Sequence, residues 1–351
     1  MRGLRRRLTA RCAPPNLRKT QEEAVRATVV CSMRNEGPFI VEWVVWYRML
    51  GFTDLVVVTN DCTDPSPDLL DALQAAGWLV HLRSDVPAGG KVTAAKLRQA
   101  KRHRAVRRAD WVLVCDVDEF LVIHRGAGKL ADLLGDTPDF TAMAINWRVF
   151  GTSGVERWED APTHRSFLNA GPTRNWISRW IKVIHRMPLA FRALGEHGPR
   201  GLDPAAEPAP RLVNADGRPI PGWPDEQNYL RVLPPELTTH TGAQMNHYML
   251  RSEESWGLKR GTPSAVQGAD RYNDSYYRST NRNERRDLSA LRYEAEFDAI
   301  HAQAMALPGV MRLHHLCCAD YAARLAEKAG MAPQEDARWR HHMAAAEQGA
   351  G

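Results

Sequence analysis

Two aspartates, Asp116 and Asp118, flank Val117 directly after the apolar run Trp111–Cys115. Carboxylates two residues apart can share one cation if the chain bends at the end of a strand. Mg²⁺ and Mn²⁺ favour oxygen ligands and keep coordination positions for substrate phosphates. Such an ion neutralises a diphosphate leaving group. A solvated turn can carry the same pair, and the position after WVLVC is what favours the metal reading. Far downstream, His247 stands between Asn246 and Tyr248, ahead of Arg251, Lys259, Arg260 and Gly261. A neutral imidazole is a good third ligand for Mn²⁺ beside two carboxylates, and the basic residues suit phosphate. The competing role for a lone histidine is a structural hydrogen bond. Arg34-Asn35-Glu36 and Asn60-Asp61 follow two further apolar runs. Their carboxamides and carboxylates can bond a base edge or ribose hydroxyls, or serve as caps and turn residues. Lys91, Lys96, Arg98 and Lys101 precede the Asp116 strand. Lys96 is the one assigned to phosphate, while most of this basic face is expected to be solvated.

These residues need a scaffold, and the hydrophobic pattern supplies one. Ala27–Met33, Asp54–Thr59, Trp78–Leu82 and Trp111–Cys115 read as strands. Helical spacing of Phe39, Trp43, Trp46 and Leu50, with Gly51 as a stop, predicts a helix over 39–50. Helices are also expected over Pro67–Ala76 and Thr93–Arg108. Alternation of this kind predicts an open, mainly parallel sheet with helices on both faces and ligands beyond the C-terminal strand ends. The turns at Asn35, Asp61 and Asp116 would then share one edge. Phe140–Trp147 is a further strand. Residues 150–175 read as loop, 195–235 show no clear period, and 238–250 resume an ordered pattern. Charged helices are expected over 284–304 and 319–348. This divides the chain into a basic arm (1–24), a catalytic domain (25–265) and a helical C-terminal extension (266–351).

The 351 residues are 44% hydrophobic and 25% charged, an ordinary globular composition. No apolar stretch is long enough to span a bilayer, and the N-terminus lacks the apolar segment of a secretory signal. The net charge of +6 is local. Residues 1–20 hold seven Lys/Arg and residues 91–108 hold eight, with no acid in either. Removing these 15 leaves 32 basic against 41 acidic residues, a formal −9. Two local patches suit a weak contact with an anionic membrane surface rather than specific nucleic-acid binding. Six cysteines without a CxxC pair argue against a zinc site or a disulfide framework and for a reducing cytosol.

Together these segments resemble the family 2-like glycosyltransferases of GT-A fold, and most closely a bacterial branch similar to the family 92 enzymes. The matching pieces are residues 29–52, 56–64, 111–121, 147–154 and 246–261, in order along the chain. The resemblance implies a GT-A-like, Rossmann-related mixed sheet and transfer from a nucleotide-diphosphate sugar, with a UDP-sugar favoured. It places Asn35 and Glu36 near the nucleotide and Asn60 and Asp61 near base and ribose. Asp116, Asp118 and His247 would hold Mn²⁺ or Mg²⁺, and Glu119 would orient the loop. Trp147 and the 151–154 loop would border the sugar or acceptor. Lys259 and Arg260 would steady the phosphates. The acceptor, a glycan, lipid or protein, is not implied. An inverting transfer needs a carboxylate base, and the chain departs from the commoner family 2 pattern in lacking a clear late Glu-Asp pair. Asp225 and Glu226 are the first candidates, with Glu253 and Glu254 as others.

Two other functions compete. A metal-dependent sugar nucleotidyltransferase would use similar phosphate chemistry, but it usually carries a Gly-rich basic loop after the first strand. Here that position reads SMRNEGP. A non-catalytic basic membrane-binding module would need the patches to dominate, which the −9 remainder opposes.

Overall fold

The computed structural model describes residues 25–86, 91–136, 138–203, 205–223, 230–262 and 271–349. The basic arm and the candidate bases Asp225 and Glu226 lie outside the described residues. The first half alternates as expected: β1 (Ala27–Met33), α1 (Ile40–Leu50), β2 (Asp54–Thr59), α2 (Ser66–Ala75), β3 (Val80–Arg83), α3 (Val92–Arg102) and β4 (Trp111–Val114). β1 pairs in parallel with both β2 and β4, and β2 with β3. Val29, Cys31 and Met33 of β1 enter one apolar cluster and Val30 another. A strand covered on both faces has no reason to alternate, which is why it reads as an unbroken apolar run.

The sheet continues with β5 (Glu119–Ile123), β6 (Ala142–Val149), β7 (Ile181–Arg186), β8 (Leu212–Asn214) and β9 (Ala243–His247). Its order is β3-β2-β1-β4-β7-β6-β9-β5. β8 lies parallel to Ala142–Ala144 of β6, and β9 parallel to the other end of β6 from Trp147 to Val149. β7 runs antiparallel to β4 and β6, and β9 antiparallel to β5. The result is the mixed, mainly parallel α/β sheet expected from the sequence, flanked by helices and followed by a helical C-terminal region: α4 (Glu253–Lys259), α5 (Glu294–Met305), α6 (Val310–Lys328) and α7 (Ala337–Gln348).

Helix α1 is buried on all sides except at Arg48, as befits a helix that is apolar all round. Its Trp46 Nε1 donates to the Leu121 carbonyl at 2.9 Å and its Tyr47 hydroxyl to the Glu119 carbonyl at 3.0 Å. These bonds tie α1 to the strand that follows the aspartate pair. α6 packs against the turn Gly37–Phe39 that precedes α1, with Tyr321 edge-on to Phe39 at 5.5 Å. A Cβ on Gly37 would meet Cys317 Cβ at 2.4 Å, so only glycine permits this approach.

Three expectations are corrected. The basic helix ends at Arg102 because His103 turns to ψ 144, its ring accepting the Ala105 N–H of a following short turn. The expected 319–348 helix is two helices, α6 and α7, parted by Gly330 in the left-handed region and by Pro333. The 195–235 segment is not structureless, since it contributes β8 to the sheet.

Candidate active site

Parallel pairing of β1, β2 and β4 brings Asn35, Asp61 and Asp116 to the same sheet edge. Asn35 and Asp61 have φ of 54° and 46°, a left-handed conformation that Asn and Asp tolerate best among non-glycines. The Asn35 carboxamide grips the second loop: Oδ1 accepts from the Thr63 N–H and Nδ2 donates to Thr63 Oγ1, both at 2.8 Å. Asn35 therefore joins two turns instead of capping a helix. Asn60 is buried and donates to Asp61 Oδ2 at 2.8 Å, while its own Oδ1 has no partner. Asp64 accepts the Gly37 N–H at 3.2 Å and the Ser66 hydroxyl at 2.6 Å. Glu36 pairs with Arg251 at 3.1 Å, and the Arg251 guanidinium lies over Phe39. Lys96 alone of the basic helix's cations turns inward, donating to the Met33 carbonyl at 3.1 Å. Burial lowers its pKa.

The long-range juxtaposition comes from the β5–β9 ladder. Pairing of His247 with Glu119 sets the end of β9 beside the start of β5, immediately after Asp118. His247 Nε2 lies 3.4 Å from Asp118 Oδ1, and its Nδ1 3.6 Å from Glu119 Oε1. The Tyr248 N–H donates to the Asp118 carbonyl at 2.9 Å, and Trp147 stands edge-on to the imidazole at 4.4 Å. Lys259 Nζ is 3.6 Å from Asp118 Oδ2 and donates to the Met249 carbonyl at 2.8 Å. Burial alone would raise the Asp118 carboxyl. The charge and hydrogen bond of His247, with Lys259 and Arg251, overcome it and hold the group far below the usual carboxylate range.

Asp116 behaves differently. Its Oδ2 faces Lys182 Nζ at 3.0 Å, and the same ammonium lies 2.8 Å from Glu119 Oε2. Glu119 Oε2 also accepts the Asp116 N–H at 2.8 Å, fixing the turn between the two aspartates. Against its own burial, Lys182 is held charged by Asp116 and Glu119. Burial pushes Glu119 up to about 6, opposed by Lys182 and reinforced by the Asp116 charge.

A divalent cation fits part of this set. Asp118 and His247 offer oxygen and nitrogen donors side by side, and the buried His247 Nδ1 and Glu119 Oε1 have no hydrogen-bond partner. Asp116 is engaged by Lys182 rather than turned toward Asp118 and His247. Arg260, assigned to phosphate from sequence, instead pairs with Asp274 at 2.7 Å on the exposed surface. Of the alternative bases, Glu254 is held by Arg338 at 2.6 Å, whereas Glu253 accepts from Tyr277 at 2.6 Å and from Thr152 at 3.0 Å. Lys182 has no role in the sequence reading, and Arg251 appears there only within the basic run suited to phosphate, whereas it pairs with Glu36. A lysine inside the apolar strand IKVIH was the visible sign of the first.

No protein-family model matches the chain, and no curated protein matches it. Among solved structures, S. aureus TarS residues 1–349 align over 93% of this chain and 89% of that one, at TM-score 0.32 and 11% identity. The longer S. aureus TarS structure aligns over 93% and 54%, at TM-score 0.32 and 12% identity. TarS 1–349 in complex with UDP aligns over 93% and 92%, at TM-score 0.32 and 13% identity.

Proposed function

We propose that this chain is a glycosyltransferase of GT-A type that moves a sugar from a nucleotide-diphosphate donor, a UDP-sugar favoured, to a hydroxyl of a glycan, lipid or protein, with inversion and with Mn²⁺ or Mg²⁺. The observation that carries the reading is the 3.4 Å approach of His247 to Asp118 at the edge that also bears the Asn35 and Asp61 turns. Asp118 and His247 hold the cation in this reading, and Asp116 adds its carboxylate only by turning away from Lys182. A bound divalent ion supplies positive charge to the departing diphosphate. Lys259 adds a second charge beside Asp118, and Glu119 keeps the turn in place through the Asp116 N–H. Asn60 and Asp61 face base and ribose, and the Glu36–Arg251 pair borders the nucleotide. Asp225 and Glu226 are kept as the proposed bases. The five described cysteines are free, which suits a cytosolic enzyme, and among the described residues no helix is long and apolar enough to cross a membrane.

The test offers the protein a panel of nucleotide sugars with Mn²⁺. Release of nucleoside diphosphate, lost in Asp118→Asn, is the expected result. Pyrophosphate formed from a sugar phosphate and a nucleoside triphosphate would assign the chain to the nucleotidyltransferases instead.

A further inference from the structure

A second cluster of ligand-type side chains lies away from the aspartate pair, where the C-terminal helices meet the loop after β6. His314 and Cys318 are four residues apart on α6 and therefore share a face. Asp160 approaches them from the loop. His314 Nε2 lies 3.1 Å from both oxygens of Asp160 and 3.5 Å from Cys318 Sγ. His314 and Cys318 are buried, while the Asp160 side chain keeps one edge in solvent. Near the same carboxylate, His315 Nδ1 and His342 Nδ1 lie 3.0 Å from each other. The ligand atoms of Asp160, His314 and Cys318 all lie within 4.8 Å of one another, and so do those of Asp160, His315 and His342.

We propose that Asp160, His314 and Cys318 bind one Zn²⁺ ion that joins α6 to the 155–162 loop. The donor set is mixed oxygen, nitrogen and sulfur, which suits zinc and not Mg²⁺ or Ca²⁺. Bond lengths of about 2.0–2.1 Å to nitrogen and about 2.3 Å to sulfur make the edges of a tetrahedron about 3.3 Å between nitrogen and oxygen and about 3.5 Å between nitrogen and sulfur. The two separations from His314, 3.1 and 3.5 Å, are close to those edges, and the third, between Asp160 and Cys318, lies within 4.8 Å. Zinc binding releases the Cys318 proton to solvent and leaves the thiolate on the metal. Water fills the fourth position at the exposed edge of Asp160.

A hydrogen-bonded Asp–His pair explains His314 and Asp160 but gives no reason for a thiol and two further imidazoles to converge on the same carboxylate. The absence of a CxxC motif does not bear on this site, because its ligands come from a helix and a distant loop. The clamp would have a structural consequence. Val155, Arg157 and Trp158 of the clamped loop wall a cavity of about 380 Å³ with Phe39 and Arg251, so the ion would fix that wall.

The experiment uses the full chain, loaded with ZnCl₂ and passed through a desalting column. One zinc per chain by elemental analysis is expected, with a melting temperature that falls on chelation. Cys318→Ala and His314→Gln should each lower retained zinc by at least about tenfold and abolish the chelator-dependent shift, while Asp118→Asn keeps both. Co²⁺ should give the wild type a near-ultraviolet thiolate band that Cys318→Ala lacks. A wild type that retains no zinc and shows no such band overturns the proposal without recourse to any variant. Full zinc retention in Cys318→Ala and His314→Gln also overturns it. Loss in His342→Ala with retention in Cys318→Ala would overturn this ligand set in favour of the His315–His342 trio.

Discussion

His247 sits in a small crowd of charges, and its neighbours define what its removal would do. Asp118 is on one ring nitrogen and Glu119 on the other. His247→Ala should therefore weaken Mn²⁺ binding and lower turnover together, each by roughly 10–100-fold. Calorimetric titration with Mn²⁺ beside steady-state kinetics checks this, and unchanged metal affinity with reduced stability would make the residue structural. Lys182 is the other decisive side chain. It is a buried cation between Asp116 and the fully buried Glu119. Lys182→Met keeps the volume and strips the charge, leaving Asp116 and Glu119 without the cation between them. Breaking a buried pair from one side costs about 3–5 kcal/mol, so urea unfolding should show a loss of that order. A loss below about 1 kcal/mol would mean that solvent already screens the pair.

At the scale of elements, the sheet is held to the C-terminal region by Asp287. Its carboxylate accepts from Arg148 of β6 at 2.7 Å, from Gln244 of β9 at 3.1 Å and from Ser289 at 2.6 Å. Burial would raise its pKa, but these hydrogen bonds bring it down to about 2. A depressed carboxyl contributes stability above its unfolded pKa, and that contribution fades as pH falls through the folded value. Asp287→Asn should therefore cost about 2 kcal/mol at pH 7. The gap to wild type should close between about pH 4 and pH 2. Denaturant titrations of both proteins across that range test it, and a gap that persists at low pH would assign the effect to packing. Gly37→Ala belongs to the same scale: the Cβ clash with Cys317 should cost about 1–3 kcal/mol in a melting experiment.

The elements also show what a sequence can reveal. β1, β2 and β4 were legible because their burial is local: each is a short apolar run ended by Asn or Asp. The proximity of Asp116 to Asn35 and Asp61 followed from parallel pairing alone. The approach of His247 to Asp118 was expected from chemistry and family resemblance, since no periodicity encodes an antiparallel ladder between strands about 130 residues apart. β8 was missed because Leu212–Asn214 is three residues long among prolines and glycines. Arg260 pairs with Asp274 at the surface, and a charge run does not say which of its cations turns inward. Helix α6 ended early for a local reason that was present in the sequence, the Gly330 and Pro333 pair.

At the scale of the whole molecule, the first described residues of the chain lie beside the basic segment 91–108 at one edge of the sheet. Ala27 at the start of β1 pairs with Trp111 at the start of β4, and the Arg26 N–H bonds Asp110 at 2.8 Å. The arm of residues 1–24 therefore joins the fold beside the turn that carries exposed Arg104, Arg107 and Arg108. Asp116 and Asn35 lie beyond the opposite ends of these strands, roughly 20 Å away at about 3.3 Å per residue. A membrane held at the basic edge would thus leave the candidate active site open. We expect a weak, salt-sensitive hold on anionic vesicles, since each basic residue near such a surface contributes about 1 kcal/mol and a Debye length of about 8 Å limits its reach. Deleting residues 1–24 should reduce sedimentation with phosphatidylserine vesicles, and Arg104→Ala with Arg107→Ala and Arg108→Ala should reduce it further. Neither change should alter release of nucleoside diphosphate from a soluble donor, because residue 25, where the arm ends, and Arg104, Arg107 and Arg108 all stand at the edge away from Asp116. Raising salt from 50 to 300 mM should release the wild type. Binding that ignores salt and survives both changes would remove the membrane from this picture, and the positive edge would then be a solvated face whose charge serves solubility alone.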